Sequence, residues 1–176
     1  MTPPEKCLRP MISTDLERVL AWRNHPDVRR HMYTQRLITL EEHKAWFERA
    51  SHDSRRHLRI YEQASIPQGY VNLKVVDENA GRADWGFYLA PGAPPGSGQG
   101  LGQCTLAYAF HTLGLHKLCS EVLAENNRSL RFHERLGFRR EATLRDHFFD
   151  GNDYHDVIGF GLLAEEWRHL QGADPV

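Results

Sequence analysis

Four glycines, Gly96, Gly98, Gly100 and Gly102, fall within seven residues at mid-chain. An apolar strand-like run, Trp85-Gly86-Phe87-Tyr88-Leu89, precedes them. An apolar-periodic run begins at Leu101 and continues through Thr105, Leu106, Tyr108, Ala109 and Leu113. Strand, glycine run and helix start, in that order, make a phosphate cradle. Glycines let main-chain N–H groups turn inward, and the helix N-terminus adds unpaired donors and a partial positive charge. A ligand-free surface loop has the same composition, so the run alone leaves both open. Two named cradles fit badly. A nucleoside-triphosphatase loop ends in Gly-Lys-Ser/Thr, whereas Gly102 is followed by Gln103-Cys104. A dinucleotide fingerprint needs Gly-x-Gly-x-x-Gly at the start of a βαβ unit, and the register Gly98-x-Gly100-x-Gly102 is wrong for it.

The 176 residues suit one domain with one core, expected over 1–170, with a frayed tail over 171–176. A net charge of −1 gives no strong field for nucleic acid or an anionic membrane. Arginine is nevertheless plentiful near the N-terminus, at Arg23, Arg29, Arg30 and Arg36, which suits an anionic ligand or a solvated face. Cys7, Cys104 and Cys119 are widely spaced and form neither a disulfide framework nor a metal knuckle. The 11 histidines are scattered without a His-x-x-x-His partner, so no metal is expected. No apolar run is long enough to span a bilayer and no signal peptide is read, which makes the cytoplasm the default compartment.

Along the chain, Lys6 to Met11 reads as a first strand. Ser13 or Thr14 caps a helix from about Asp15 to Asn24, stopped by His25-Pro26. Val28 to Tyr33 is a short helical or irregular piece. Thr39 opens another helix with a capping-box partner at Glu42. Strands follow over His57–Tyr61, Gln68–Val76 and Ala83–Leu89, with turns at Ile66–Gly69 and Asn79–Gly81. After the glycine run and its helix, Lys117–Leu123 is a strand parallel to a neighbour. Asn127–Leu136 is a helix closed by Gly137, and two strands, Phe138–Phe149 and Tyr154–Leu163, finish the chain. This order predicts an α/β fold, with a mixed central sheet of six to seven strands. The sheet is antiparallel in its N-terminal part and parallel at its centre, with helices on both faces.

Three segments in order carry a resemblance: Gln99-Gly100-Leu101-Gly102 at a strand-to-helix junction, Glu121 through Ser129 (EVLAENNRS), and Phe132 through Phe138 (FHERLGF). Together they resemble the GNAT N-acetyltransferase superfamily, from the first strand to about Trp167. Ser97 stands where that family often has Gln or Arg, and Pro91 to Pro95 stiffens the approach. A narrower resemblance lies in Trp22 through Val28 (WRNHPDV), Met32-Tyr33 and His43 through Phe47 (HKAWF). It is similar to the branch that acetylates the 4-amino group of a UDP-linked amino-dideoxy sugar in pseudaminic acid biosynthesis. The Arg-Asn-His-Pro piece also occurs in relatives that acetylate protein N-termini or polyamines.

The resemblance implies acetyl-CoA as co-substrate, held by Gly98, Gln99, Gly100, Leu101, Gly102 and Gln103. Asn126 and Ser129 would serve the pantetheine arm, although Asn126 also suits a helix cap. Acetyl transfer needs a neutral amine, a stabilised oxyanion and a proton for the leaving thiolate. The main-chain N–H of Leu89 or a neighbour would take the oxyanion, beside a bulge that splays its strand from Lys117–Leu123. Glu121 stands at the position of a base, partly buried with a raised pKa, or else faces solvent or binds the ammonium. His133 stands where most of the family has a tyrosine acid, or else packs on the last helix. As an imidazolium it would donate a proton, and as a neutral imidazole it would still donate one hydrogen bond. The acceptor would meet Arg23 by bidentate bonding to a diphosphate, or else Arg23 only ties a helix to a loop. Met32, Tyr33 and Trp46 would stack, and His43, Lys74 and Tyr88 are further polar contacts. A non-catalytic CoA-binding module of the same fold is the reading from another class, and a homodimer is compatible with all of these.

Overall fold

The computed structural model of the chain describes residues 5–172. Its strands are β1 (Lys6–Pro10), β2 (Arg56–Gln63), β3 (Ile66–Asp77), β4 (Arg82–Leu89), β5 (Lys117–Leu123), β6 (Arg139–Phe149) and β7 (Tyr154–Leu163). They form a seven-stranded sheet in the order β1-β2-β3-β4-β5-β7-β6. β4 and β5 are parallel, while β1–β2, β2–β3, β5–β7 and β6–β7 are antiparallel. The helices are α1 (Leu16–Asn24), α2 (Pro26–Arg29), α3 (Leu40–Ser51), α4 (Ser97–Ala107), α5 (Asn127–Arg135) and α6 (Ala164–Gly172). The predicted α/β class and mixed sheet are the ones observed. No helix among the described residues is long and apolar enough to cross a membrane.

The chain divides into two compact units. The first is Met1–Lys74 with Gly86–Thr105, and the second is Val75–Trp85 with Leu106–Val176. The divisions cut through β3, β4 and α4, so neither unit is a continuous stretch. In the first unit, Leu16, Val19 and Trp22 of α1 pack with Leu58 and Ile60 of β2 and Tyr70 of β3. Val19 and Ile60 are wholly buried, and each such side chain contributes roughly 1.5–3 kcal/mol. In the second unit, Leu118 and Val122 of β5 and Val157, Phe160 and Leu162 of β7 are buried. Beside them lies Trp167 of α6, its ring 5.3 Å from that of Phe110.

Local chemistry explains where each element starts. The predicted capping box holds: Thr39 Oγ1 accepts from the Glu42 N–H at 3.2 Å, and Glu42 accepts from the Thr39 N–H at 2.9 Å. Neither Ser13 nor Thr14 caps α1. They enter a 3-10 turn with Asp15, whose buried carboxylate accepts from the Ile12 N–H and from both terminal nitrogens of Arg9. The turn before β3 is Ala64-Ser65, not Ile66–Gly69, and both residues are left-handed with φ of 53° and 61°. A two-residue turn with that handedness matches strand twist, which is why non-glycine residues tolerate it here. The chain does not finish in a strand either. α6 follows β7 and takes in Gln171 and Gly172, assigned from sequence to a frayed tail, while positions 173–176 lie outside the described residues. Its first turn is held by Glu166, which accepts from the Leu163 N–H at 3.0 Å.

Candidate active site

The glycine run builds more helix than loop. Gly96 makes the turn with φ of 84°, and Gly98, Gly100 and Gly102 all lie within α4. The Gly100 N–H already donates to the Gly96 carbonyl at 3.0 Å. The N–H groups of Gly98 and Gln99 therefore sit in the first turn, where a helix has no carbonyl of its own to offer them. Those groups and the dipole favour an anion there.

Two glycines seat this helix on the strands beneath. A Cβ on Gly100 would collide with the Tyr61 hydroxyl and come within 3.0 Å of Tyr61 Cζ, and Tyr61 is fully buried. A Cβ on Gly69 of β3 would come 2.6 Å from the Leu101 side chain and 3.1 Å from the Tyr88 carbonyl. Leu101 is itself fully buried, and its carbonyl accepts from Thr105 Oγ1 at 2.7 Å. Gln103 is exposed on the same helix. Ser97 is fully buried with its hydroxyl unpaired, and so does not replace the long polar side chain that the family often has there.

The acceptor candidates of the first unit fall into two groups. Arg23, His43, Trp46 and Tyr88 are drawn together by Tyr70, which sequence reading missed. The Tyr70 and Tyr88 rings lie 4.9 Å apart, Trp46 meets Tyr70 edge-on at 6.1 Å, and His43 stacks on Trp46 at 5.1 Å. Arg23 donates from Nη2 to the Thr34 carbonyl at 2.7 Å, tying α1 to the loop, while its Nη1 is buried without a partner. Burial lowers its pKa, with the Tyr88 hydroxyl opposing. His43 is 5% exposed, and its Nε2 is also buried and unpaired. Burial depresses its pKa, against a bond to the Leu16 main chain, and the Arg23 charge adds to the depression. Burial pushes the phenols of Tyr70 and Tyr88 up, so both stay protonated. Met32 is half-buried and Tyr33 is 51% exposed on the loop before α3, while Lys74 lies on β3 in register with Arg56. Tyr70, Asn72 and Lys74 alternate onto one strand face, and Asn72 Oδ1 is a further buried, unpaired acceptor.

In the second unit, β4 pairs with β5 over only three residues, Arg82↔Lys117, Ala83↔Leu118 and Asp84↔Cys119. β5 continues against β7, where Glu121 faces Gly159. Glu121 is exposed, not partly buried as expected for a base of raised pKa. Ser120 and Val122 on either side are buried on the opposite face. Asn126 caps α5, its Oδ1 accepting from the Ser129 N–H at 3.2 Å. The Ser129 carbonyl in turn accepts from His133 Nδ1 at 2.8 Å, which assigns the ring proton to that nitrogen.

His133 is 1% exposed. Its ring stacks on Phe160 at 5.0 Å and meets Trp85, Phe132 and Phe138 edge-on. Burial lowers its pKa to about 4, against the Ser129 bond. The ring is therefore neutral at pH 7, which fits the packing alternative and not an imidazolium acid. The signal was present: Leu130 and His133 share one helix face at i, i+3. Among the described residues no cluster of His, Cys, Asp and Glu could hold a metal ion.

A family model for the GNAT acetyltransferase domain matches residues 6–139. Spermidine N(1)-acetyltransferase of Escherichia coli K12 is 27% identical over 166 residues, covering 91% of this chain and 87% of that protein. Acetyltransferase PseH of Campylobacter jejuni is 28% identical over 144 residues, covering 81% and 85%. The N-acetyltransferase YokL of Bacillus subtilis is 33% identical over 104 residues, and the chain covers 58% of its length. The solved spermidine N-acetyltransferase from Vibrio cholerae, in complex with CoA and spermine, superposes with a TM-score of 0.86 at 24% identity, covering 93% of this chain and 98% of that one. At that identity the likeness is one of fold. With a family match that runs from β1 into β6, the chain belongs to the GNAT acetyltransferase family and is an acetyl-CoA-dependent N-acetyltransferase.

Proposed function

We propose that the protein transfers acetyl to the amine of an anionic acceptor, a UDP-linked amino-dideoxy sugar. The observation that carries this is Arg23. Its Nη1 is buried without a partner, and among the described ion pairs it has no carboxylate. A half-buried guanidinium with one buried nitrogen unpaired and no counter-charge is costly, and a diphosphate supplies two acceptors in the fork geometry it matches. The aromatic row of Trp46, Tyr70 and Tyr88 supplies stacking area for a base or sugar. Between positions 25 and 39 stand Arg29, Arg30 and Arg36 against one acid, Asp27, a poor setting for a polycation. Similarity to PseH agrees with this reading; similarity to spermidine acetyltransferases, at almost the same identity, is the competing one.

The test is a mass-shift assay with acetyl-CoA against UDP-amino sugars, spermidine and N-terminal peptides. A mark on the sugars supports the proposal, and a mark only on spermidine or peptides overturns it. Replacing Arg23 by Ala should raise KM for the sugar by about 10- to 100-fold, from loss of a charge-assisted pair, and leave acetyl-CoA affinity unchanged. Equal loss of both contradicts its place.

For the chemistry, the neutral amine attacks the thioester carbonyl, the C–S bond breaks, and the amine proton leaves through water to Glu121. The Leu89 main-chain N–H would receive the oxyanion, with Gly98 to Gln103 at the phosphates. Asn126 and Ser129 hold α5 together, and any contact with pantetheine comes from atoms they leave over. The leaving thiolate takes its proton from solvent, because His133 is neutral and its Nδ1 proton is committed to Ser129.

His133→Phe is therefore expected to keep turnover within about threefold, where loss of a working acid would cost about 100-fold or more. The same variant has a stability signature. The unfolded histidine titrates near ~6.5, the folded one at about 4. Between these values only the unfolded chain binds the proton, so wild-type stability falls as pH drops through the window, by roughly 3 kcal/mol at most. Urea midpoints at pH 7 and pH 4.5 should differ less in the variant. An unchanged difference contradicts the burial account.

A further inference from the structure

Gly86 is a mid-strand glycine whose missing side chain nothing in the described structure explains. Four glycines lie in strands: Gly69, Gly86, Gly159 and Gly161. A Cβ would meet the Leu101 side chain at Gly69, Ala142 Cβ at 3.4 Å at Gly159, and the Glu141 carboxylate at Gly161. At Gly86 it would meet nothing within 4 Å. Nor does the backbone need it, since Gly86 is not among the glycines with positive φ. A glycine inside a strand gives up chain entropy and strand propensity, and it is kept where a bulge, a bend or a close neighbour requires it. No protein atom comes near, so packing within the chain does not account for this glycine, which lies two residues past the point where β4 leaves β5, and the bare strand there is open to close approach by a ligand.

The face is identified by alternation. Within β4 the side chain of Tyr88 lies on the same side as the bare Cα of Gly86. Tyr88 lies against Tyr70 and beside Arg23, so the uncovered main chain adjoins the row of unpaired polar atoms and rings in the first unit. We propose that Gly86 keeps β4 uncovered so that the acceptor amine's carrier lies directly on the main chain there. Gly86 is then the residue that limits how bulky an acceptor the enzyme takes. This rests on the acetyltransferase activity and not on which amine is used.

The experiment compares wild type with Gly86→Ala and Gly86→Val, using acetyl-CoA and whichever of the UDP-amino sugar or spermidine the wild type acetylates. For that amine, kcat/KM should fall about 10-fold for Ala and about 100-fold or more for Val, a graded steric loss. Acetyl-CoA affinity by calorimetry should stay within about twofold, and the melting temperature should hold or rise, because valine suits a strand better than glycine. A valine variant that keeps kcat/KM within about twofold overturns the inference. So does a parallel loss of acetyl-CoA affinity, which would put the open space on the thioester's path. A wild type that acetylates spermidine alone overturns the nucleotide-sugar proposal, and the same ratio measured with spermidine then decides Gly86.

Discussion

Gly100→Ala is expected to cost acetyl-CoA binding about 100-fold or more and to lower stability by roughly 1–3 kcal/mol, the range for overpacking a filled core. The added methyl would overlap the Tyr61 hydroxyl and lie 3.0 Å from Tyr61 Cζ. The phenol cannot swing away cheaply, because Tyr61 is fully buried and its hydroxyl donates to Gln63 at 3.2 Å. The first turn of α4 must lift instead, and the N–H groups of Gly98 and Gln99 lift with it. Anion binding at a helix end depends on their aim, so a shift of about 1 Å is enough to lose most of it. The rescue is specific. In Gly100→Ala with Tyr61→Phe the clashing oxygen is gone, and part of both losses should return. Calorimetry with acetyl-CoA reads the first effect and thermal melts the second. Full affinity in the single variant contradicts the seating of α4.

Glu121→Gln is expected to lower kcat by about 100- to 10,000-fold with acetyl-CoA affinity unchanged, the range for a lost general base. Glu121 stands on β5 opposite a glycine, exposed, with buried neighbours on the other face. Exposure makes proton transfer through water natural. An exposed carboxylate can also attract an ammonium, and kinetics separate the two. A lost base shows in kcat and is partly restored at higher pH, where the amine deprotonates unaided. A lost ammonium partner shows in KM for the amine with kcat little changed, and that deficit fades at higher pH, where no ammonium is left to hold. Turnover within about twofold of wild type removes Glu121 from the chemistry.

Local signals were legible and long-range ones were not. The Thr39–Glu42 capping box, the strand-to-helix junction at the glycines and the parallel β4–β5 pair all follow from neighbours in sequence. α6 escaped notice because its cap is Glu166 in its own first turn, with no Ser, Thr, Asp or Asn ahead of it. The turn at Ala64-Ser65 escaped because neither residue is glycine or asparagine. Arg23 shows both sides: a tie from helix to loop was readable as one of its two roles, yet Thr34 as the partner depends on a loop eleven positions away. Tyr70 was hidden because joining Trp46 to Tyr88 depends on strand pairing.

We propose an anionic nucleotide-linked amino sugar as the acceptor. A single-tube competition decides it: equimolar UDP-amino-dideoxy sugar and spermidine, limiting acetyl-CoA, products resolved by mass. Acetyl-sugar in large excess is the predicted result, and acetyl-spermidine in excess would contradict it.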